Sequence, residues 1–234
     1  MTSARKCVKT DPPGPRETDV RPAGIPAGQG VRHKKPIIGL CGGIGAGKSL
    51  VAAVFERLGC LVADSDRLNH EILAQPGVLE TLRTWWGPDV AQADGTPNRR
   101  RIAEIVFADP VQKERLESLV YPLIAARRAA MIRAVEDRSA VTAIVIDSPL
   151  LLESHLDLEC DTIVFVDANE ARRLERLGRE RGWTAEDLTR REGWQIPLVE
   201  KRARAAYVVD NNGPVEQLRP QVADILGKIL AQHS

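Results

Sequence analysis

The stretch Gly42-Gly43-Ile44-Gly45-Ala46-Gly47-Lys48-Ser49 fits the pattern GxxxxGK(S/T) at every fixed position, and nothing else in the chain restricts the possible folds so sharply. Such a match carries chemistry only where a strand runs into it and a helix leaves it. The preceding Ile37-Ile38-Gly39-Leu40-Cys41 is a short apolar run of strand type. After the match, apolar residues at 50, 51, 54, 55 and 58 recur at helical spacing, and Gly59 supplies a C-terminal stop. The glycines let the backbone turn tightly with its N–H groups inward, and the positive end of the following helix adds to the attraction for phosphate oxygens. Gly43, Ile44, Gly45, Ala46, Gly47, Lys48, Ser49 and Leu50 are therefore the candidate nucleotide-phosphate site. In that role Lys48 reaches the β- and γ-phosphates and the Ser49 hydroxyl ligates magnesium.

A second strand, Cys60-Leu61-Val62-Ala63, runs into Asp64-Ser65-Asp66. If the strand continues through Asp64, alternation points the carboxylates of 64 and 66 to one side at its C-terminal end, where open α/β sheets bind ligands. The competing reading is a polar turn in which Asp66 caps the next helix. Spacing alone does not choose between them. Strand character returns at Val141-Thr142-Ala143-Ile144-Val145-Ile146, a near-continuous apolar run suited to a central parallel strand. Asp147 at its end is placed to support magnesium with Ser49, or else to cap a helix ahead of Pro149. Further strands are expected at Thr162-Ile163-Val164-Phe165-Val166 and Tyr207-Val208-Val209, and a closing helix over 215–230. Five strands interleaved with helices predict an α/β domain built on a doubly wound five-stranded parallel sheet.

Between the second and third strands no alternation is visible. Helical stretches fall near 67–74, 78–86, 99–108 and 110–136, separated by Gln75-Pro76-Gly77, Gly87-Pro88 and the Asp94-Gly95 turn. Seventy residues of helix exceed an ordinary crossover and predict a helical insert over about 67–138 on the ligand side. The Trp85-Trp86 pair is expected to pack in its core rather than stack on a ligand. After the fourth strand, Arg172, Arg173, Arg176, Arg179 and Arg181 precede a second cluster at Arg190, Arg191, Lys201, Arg202 and Arg204. This density suits a lid over about 170–195 that closes on polyphosphate. Most of these arginines are expected to form a solvated face paired with Glu170, Glu175, Glu180 and Glu186, with one or two touching phosphate.

A length of 234 residues allows one large domain carrying an insertion. Residues 1–35 hold five of the fifteen prolines, few large apolar groups and a charge balance of +5. They read as a disordered extension ahead of the domain at 36–234, with a transit peptide or a basic interaction arm as alternatives. The formal net charge of +1 argues against a general nucleic-acid or membrane-surface binder, and the remainder, at −4, is mildly acidic. The cysteines at 7, 41, 60 and 160 form no CxxC pair, so a reduced, cytoplasmic setting is the simplest reading. No apolar run approaches the roughly 20 residues of a membrane span, and the N-terminus has no signal-peptide core.

The motifs taken in order resemble the dephospho-coenzyme A kinase family over residues 37–230. The loop at 42–49 looks like that family's P-loop, Asp64-Ser65-Asp66 resembles its Asp-x-Asp, and Asp94-Gly95 with Arg99, Arg100 and Phe107 resembles an insert signature. Pro149-Leu150-Leu151-Leu152-Glu153 is similar to its Pro-Leu-Leu-x-Glu, Arg176 matches a lid arginine, and Asp210-Asn211-Asn212-Gly213 resembles its asparagine turn. The resemblance implies ATP-dependent phosphorylation of the ribose 3′-hydroxyl of dephospho-coenzyme A, with magnesium. It implies Asp66 as general base, Lys48 and Arg176 as charge-neutralising groups, and Asp64, Asp66, Arg100, Pro149 and Leu150 on the acceptor. The implied partners are these two small molecules, with no nucleic acid or membrane, and the implied state is a monomer or weak homo-oligomer.

Four positions depart from the family pattern. Cys41 stands where threonine is common, Tyr121 precedes Pro122 in place of histidine, Ala206-Tyr207 replaces Ala-Asp, and an arginine usual near the end of the lid helix falls on Glu180. They keep open a kinase for another small nucleotide. A non-catalytic nucleotide switch is the remaining alternative, although no Asn-Lys-x-Asp guanine signature is present.

Overall fold

The computed structural model describes residues 33–233. Of the expected extension, residues 1–32 lie outside the described residues. His33, Lys34 and Lys35 lie within them and bind Glu136, Asp137 and the carbonyl of Val141.

Strands β1 (Ile37–Gly42), β2 (Leu61–Asp64), β3 (Ile144–Asp147), β4 (Thr162–Asp167) and β5 (Tyr207–Asp210) form one parallel sheet in the order β2-β3-β1-β4-β5. Helices α1 (Lys48–Arg57), α2 (Ser65–Leu73), α3 (Pro76–Trp86), α4 (Arg99–Ala108) and α5 (Pro110–Arg133) precede or follow β2. Helices α6 (Glu170–Arg181), α7 (Ala185–Glu192), α8 (Leu198–Ala203) and α9 (Leu218–His233) flank β5. The doubly wound α/β reading is the fold observed.

Both faces of the sheet are buried because its strands alternate apolar groups in both directions. Ile38, Leu40, Val145, Val164, Val166 and Val209 face Val51 and Phe55 of α1 and Val222, Ile225 and Leu226 of α9. On the other face Ile37, Cys41, Ile144, Ile146 and Phe165 meet Leu151, Leu152 and Ile132. Full burial of each large apolar side chain contributes roughly 1.5–3 kcal/mol, which is why the central strands read as continuous apolar runs. The insert has a separate core of Leu68, Ile72, Val78, Leu82, Val90, Ile102, Val120 and Ile124. Trp85 and Trp86 pack against it, edge to face, with the Trp86 ring N–H donating to Gln112.

Several boundaries differ from expectation. β3 begins at Ile144 rather than 141, because Val141 and Thr142 are held in a turn by bonds to the carbonyls of Arg138 and Gly59. Pro76 opens α3 instead of preceding it, since a proline at the first helical turn sacrifices no hydrogen bond. β2, β3, β4 and β5 each run one residue further, ending in Asp64, Asp147, Asp167 and Asp210. Register sets Asp64 beside Asp147 and Asp167 beside Asp210. A row of carboxylates therefore lines the C-terminal edge of the sheet, on both sides of β1. Strand order changes direction at β1, the place where sheets of this kind leave a crevice.

Candidate active site

β1 delivers the chain into the loop at 42–49, and Gly47 starts α1 with φ 89°. Gly45, at φ 77°, also occupies left-handed backbone, and a Cβ there would come within 2.9 Å of Leu177. A Cβ on Gly47 would sit 2.3 Å from Nδ2 of Asn211. The glycines thus serve two ends: the turn of the loop, and the close approach of α6 and the β5 turn behind it.

Three side chains brace the loop from that back side. Asn211, 1% exposed, donates to the Ala46 carbonyl at 2.7 Å. Arg176 donates to the carbonyls of Ala46 at 3.1 Å, Gly45 at 3.4 Å and Asn211 at 2.9 Å. Arg173 donates to the carbonyl of Ile44 and to the Glu192 carboxylate at the end of α7. Arg173, Arg176 and Leu177 share one face of α6, at helical spacing, and that face lies on the loop. The outer arginines behave as expected of a solvated face, Arg172 pairing with Glu175 and Arg179 with Glu180.

Lys48 folds back on the loop, its Nζ donating to the carbonyls of Gly42 and Gly43 at 3.3 Å each. Burial pushes its ammonium below the usual lysine range, and the charge of Asp147 pulls the other way. Asp147 is 7% exposed. Burial pushes its carboxyl above the usual range, opposed by Lys48 and by a hydrogen bond with Ser49, and reinforced by the charges of Asp64 and Asp66. The structure therefore brings together Lys48, Ser49 and Asp147, with Asp64 and Asp66 in electrostatic reach. Asp147 ends a strand and caps no helix, which removes that alternative.

Asp64 and Asp66 correct both expectations. Asp64 is the residue that caps α2, its carboxylate accepting from the N–H of Arg67 at 2.9 Å. Asp66 lies in the first helical turn and is exposed, so strand alternation does not relate the two carboxylates. Leu50, on the first turn of α1, is 38% exposed. Pro149 and Leu150 are exposed just beyond Asp147. Arg100 stands apart on α4, its side chain 91% exposed and paired with Glu104.

Of the departing positions, Cys41 lies within electrostatic reach of Lys48, while Tyr121 and Tyr207 bond to neighbours outside the site. Cys41 is 3% exposed and packed in the core below β1. The Tyr121 hydroxyl donates to Glu117 on the surface of α5, and that of Tyr207 to Gln232 of α9.

Sequence reasoning assigned no role to Arg173, Asn211 or Lys201. Asn211 had a signal in its position between a strand end and Gly213. Arg173 and Lys201 lay inside basic clusters whose members look alike until the helices are packed. Among the described residues no group of three or more His, Cys, Asp or Glu forms a metal cluster. The Ser49 hydroxyl beside the Asp147 carboxylate nevertheless offers hard oxygen donors next to a phosphate loop, which fits magnesium held jointly with phosphate.

A parallel sheet of this order, with a glycine loop and half-buried lysine at its central strand and an acidic edge beside it, defines a P-loop phosphotransferase. The family model for dephospho-CoA kinase matches residues 36–217, and the chain belongs to that family, whose members are phosphotransferases with an alcohol group as acceptor. Dephospho-CoA kinases of Syntrophotalea carbinolica and Corynebacterium glutamicum are 38% and 37% identical to it. Those alignments span 83% of this chain in both cases, and 92% and 98% of the relatives. A crystal structure from Thermus thermophilus matches with TM-score 0.69 at 31% identity, over 83% of this chain and 97% of that one. Dephospho-CoA kinase from Campylobacter jejuni shares the fold with TM-score 0.59 at 19% identity, over 84% and 98% of the two chains.

Proposed function

We propose that this chain transfers the γ-phosphoryl group of ATP to the 3′-hydroxyl of dephospho-coenzyme A. The observation that carries the reading is the juxtaposition of the phosphate loop and Lys48 with the linked carboxylates of Asp147, Asp64 and Asp66. Nucleotide phosphates lie along the loop amides at the start of α1, with Lys48 released from its carbonyls to the β- and γ-oxygens. Asp66, exposed at the mouth of the crevice, accepts the hydroxyl proton as the acceptor oxygen bonds to the γ-phosphorus and the bond to the β–γ bridging oxygen breaks. ADP leaves with that electron pair. Arg176, anchored on the loop carbonyls, adds positive charge behind the loop that holds the phosphates. Magnesium, when held by Ser49 and by Asp147 through its carboxylate, supplies charge neutralisation to the phosphate oxygens.

The insert between β2 and β3 is the acceptor platform in this reading, with Asp64, Arg100, Pro149 and Leu150 on the acceptor side. Residues 170–195 form the lid that keeps water from taking the phosphoryl group. The described cysteines are free thiols, in keeping with a cytoplasmic enzyme. No helix among the described residues is long and apolar enough to cross a membrane.

The test is a coupled assay with magnesium, ATP and dephospho-coenzyme A, run beside a panel of other nucleoside and nucleotide acceptors. Coenzyme A is the expected product, and Asp66→Asn is expected to lower kcat by about 10²- to 10⁴-fold. Turnover of another acceptor in preference, or an Asp66→Asn enzyme at full rate, overturns the substrate or the base assignment respectively.

A further inference from the structure

The Pro-Leu-Leu-x-Glu motif ends in Glu153, a residue the phosphoryl transfer described above does not use. Its Oε1 pairs with Nζ of Lys201 at 2.7 Å and accepts the backbone N–H of Ile196 at 3.0 Å. Lys201 is 1% exposed and also donates to Oε1 of Gln195 at 2.9 Å. Glu153 lies in the turn that follows Asp147 and carries Pro149 and Leu150, a turn anchored by Leu151 and Leu152, each 1% exposed. Gln195 and Ile196 lie between α7 and α8, on the return leg from the lid.

We infer that Glu153 and Lys201 are positioning residues that fasten the return leg of the lid to the acceptor-side turn, so that lid closure and acceptor placement are set together. This rests on the transfer reaction proposed above. The leg is held at its other end too, because Glu192 binds Arg173, which binds the carbonyl of Ile44 in the phosphate loop. Between the two anchors stand Gly193 and an 83% exposed Trp194, a segment able to bend. The core side is fixed as well: the Lys201 carbonyl accepts from the thiol of Cys41, one residue before β1 ends. One segment, anchored at both ends with Gly193 and Trp194 between the anchors, thus touches the donor loop, the acceptor turn and the lid.

A purely stabilising role is a poor account of the pair. Buried ion pairs are often no better for stability than apolar replacements, and a network kept for stability is expected to be fully satisfied. Here Glu153 Oε2 is buried without a partner. What the arrangement does provide is three bonds converging on one hinge. Misplacing that hinge by a fraction of an ångström misaligns the acceptor oxygen and opens the site to water.

The experiment compares the full chain with Glu153→Gln/Lys201→Met, which removes both charges together, and with Gln195→Leu, which keeps the ion pair and the Ile196 N–H bond to Glu153 and removes only the Lys201 bond to the leg. Two rates are measured for each: phosphoryl transfer to dephospho-coenzyme A, and hydrolysis of ATP to ADP and phosphate. Transfer kcat is expected to fall by about tenfold to a hundredfold in both variants. ATP binding is expected to be retained, and the ratio of hydrolysis to transfer to rise. A wild-type ratio in Gln195→Leu overturns the inference even where the double variant fails to fold. Absence of transfer by the wild-type chain removes the reaction itself and the inference with it. A wild-type ratio in variants of an active enzyme removes only the positioning role.

Discussion

The side-chain amide of Asn211 donates to the carbonyl of Ala46 across 2.7 Å, joining the turn after the last strand to the phosphate loop over a sequence separation of 165. The peptide unit is planar and trans, so holding the Ala46 carbonyl from behind aims the N–H of Gly47 the opposite way, into the loop. Arg176 grips the same carbonyl and that of Asn211. The anion site is thus preorganised by groups that grip its carbonyls rather than its ligand.

Removing the amide tests this directly. Asn211→Ala leaves the Ala46 carbonyl with Arg176 alone and is expected to lower stability by about 1–3 kcal/mol. Its KM for ATP is expected to rise more than its KM for the acceptor, because the loop amides lose their aim. Chemical denaturation and initial-rate kinetics check the two parts. Equal effects on both substrates would show that the amide contributes only to folding.

A buried ion pair fastens the insert to the turn that precedes β4. Arg128 of α5, 3% exposed, makes a two-pronged ion pair with Glu159, Nε to Oε2 at 3.0 Å and Nη2 to Oε1 at 2.6 Å. Arg128→Ala strands a carboxylate that is one-third exposed, so the loss should sit at the lower end of the roughly 3–5 kcal/mol typical of a broken buried pair. Thermal denaturation checks it. A fall within experimental scatter of zero would mean that the apolar core of the insert holds α5 unaided.

How much of this could be read in advance differs from residue to residue, and for physical reasons. The loop at 42–49 and the five strands were legible because glycine pattern and apolar alternation are local signals. Asp66 was only half legible: the Asp-x-Asp spacing marked it, but Asp64 ends β2 and turns at once to cap α2, a choice made by the adjoining β3 and the packing of Leu68. Arg173 and Arg176 were hidden among the α6 arginines, since which face turns inward is decided by Gly45 and Gly47 leaving room for the helix. Lys201 looked like one more solvated base because its partner, Glu153, lies in a distant turn.

Cys41 illustrates the same limit from the side of reactivity. Its thiol is close to the phosphate loop in sequence, yet burial pushes its pKa up to about 11. Burial likewise pushes Cys160 up to about 12 and raises Cys60. The thiolate is the reactive form, so in a Cys7→Ser background the folded chain at neutral pH should react with iodoacetamide about 100-fold more slowly than the unfolded chain, and without loss of activity. Mass spectrometry of labelled peptides checks it. Rapid labelling of Cys41 with inactivation would place the thiol in the crevice and overturn its assignment to the core.

Lys48 and Asp147 make the last prediction, in which stability and activity oppose each other. Both are shifted chiefly by burial, Lys48 below its ordinary 10.5 and Asp147 above its ordinary 3.8, so their mutual attraction does not fully offset their desolvation. The sign for Asp147 follows from linkage. A folded carboxyl with a raised pKa holds its proton longer than the unfolded one, so stability falls as pH rises from about 3.8 through the raised value. For Lys48 the folded state gives up its proton first, so stability rises with pH from the depressed value up to about 10.5. At neutral pH both groups therefore burden the fold. Lys48→Met/Asp147→Asn, which removes both charges, is expected to gain about 1–4 kcal/mol at pH 7 and to have no detectable transfer activity. Lys48→Met alone leaves Asp147 without its opposing charge, so this variant should lose stability more steeply than wild type as pH climbs from 4 to 7, and recover it in acid. Urea denaturation across that range reads both. A double variant less stable than wild type at pH 7 would mean that the two charges hold the loop in place more than their burial strains it.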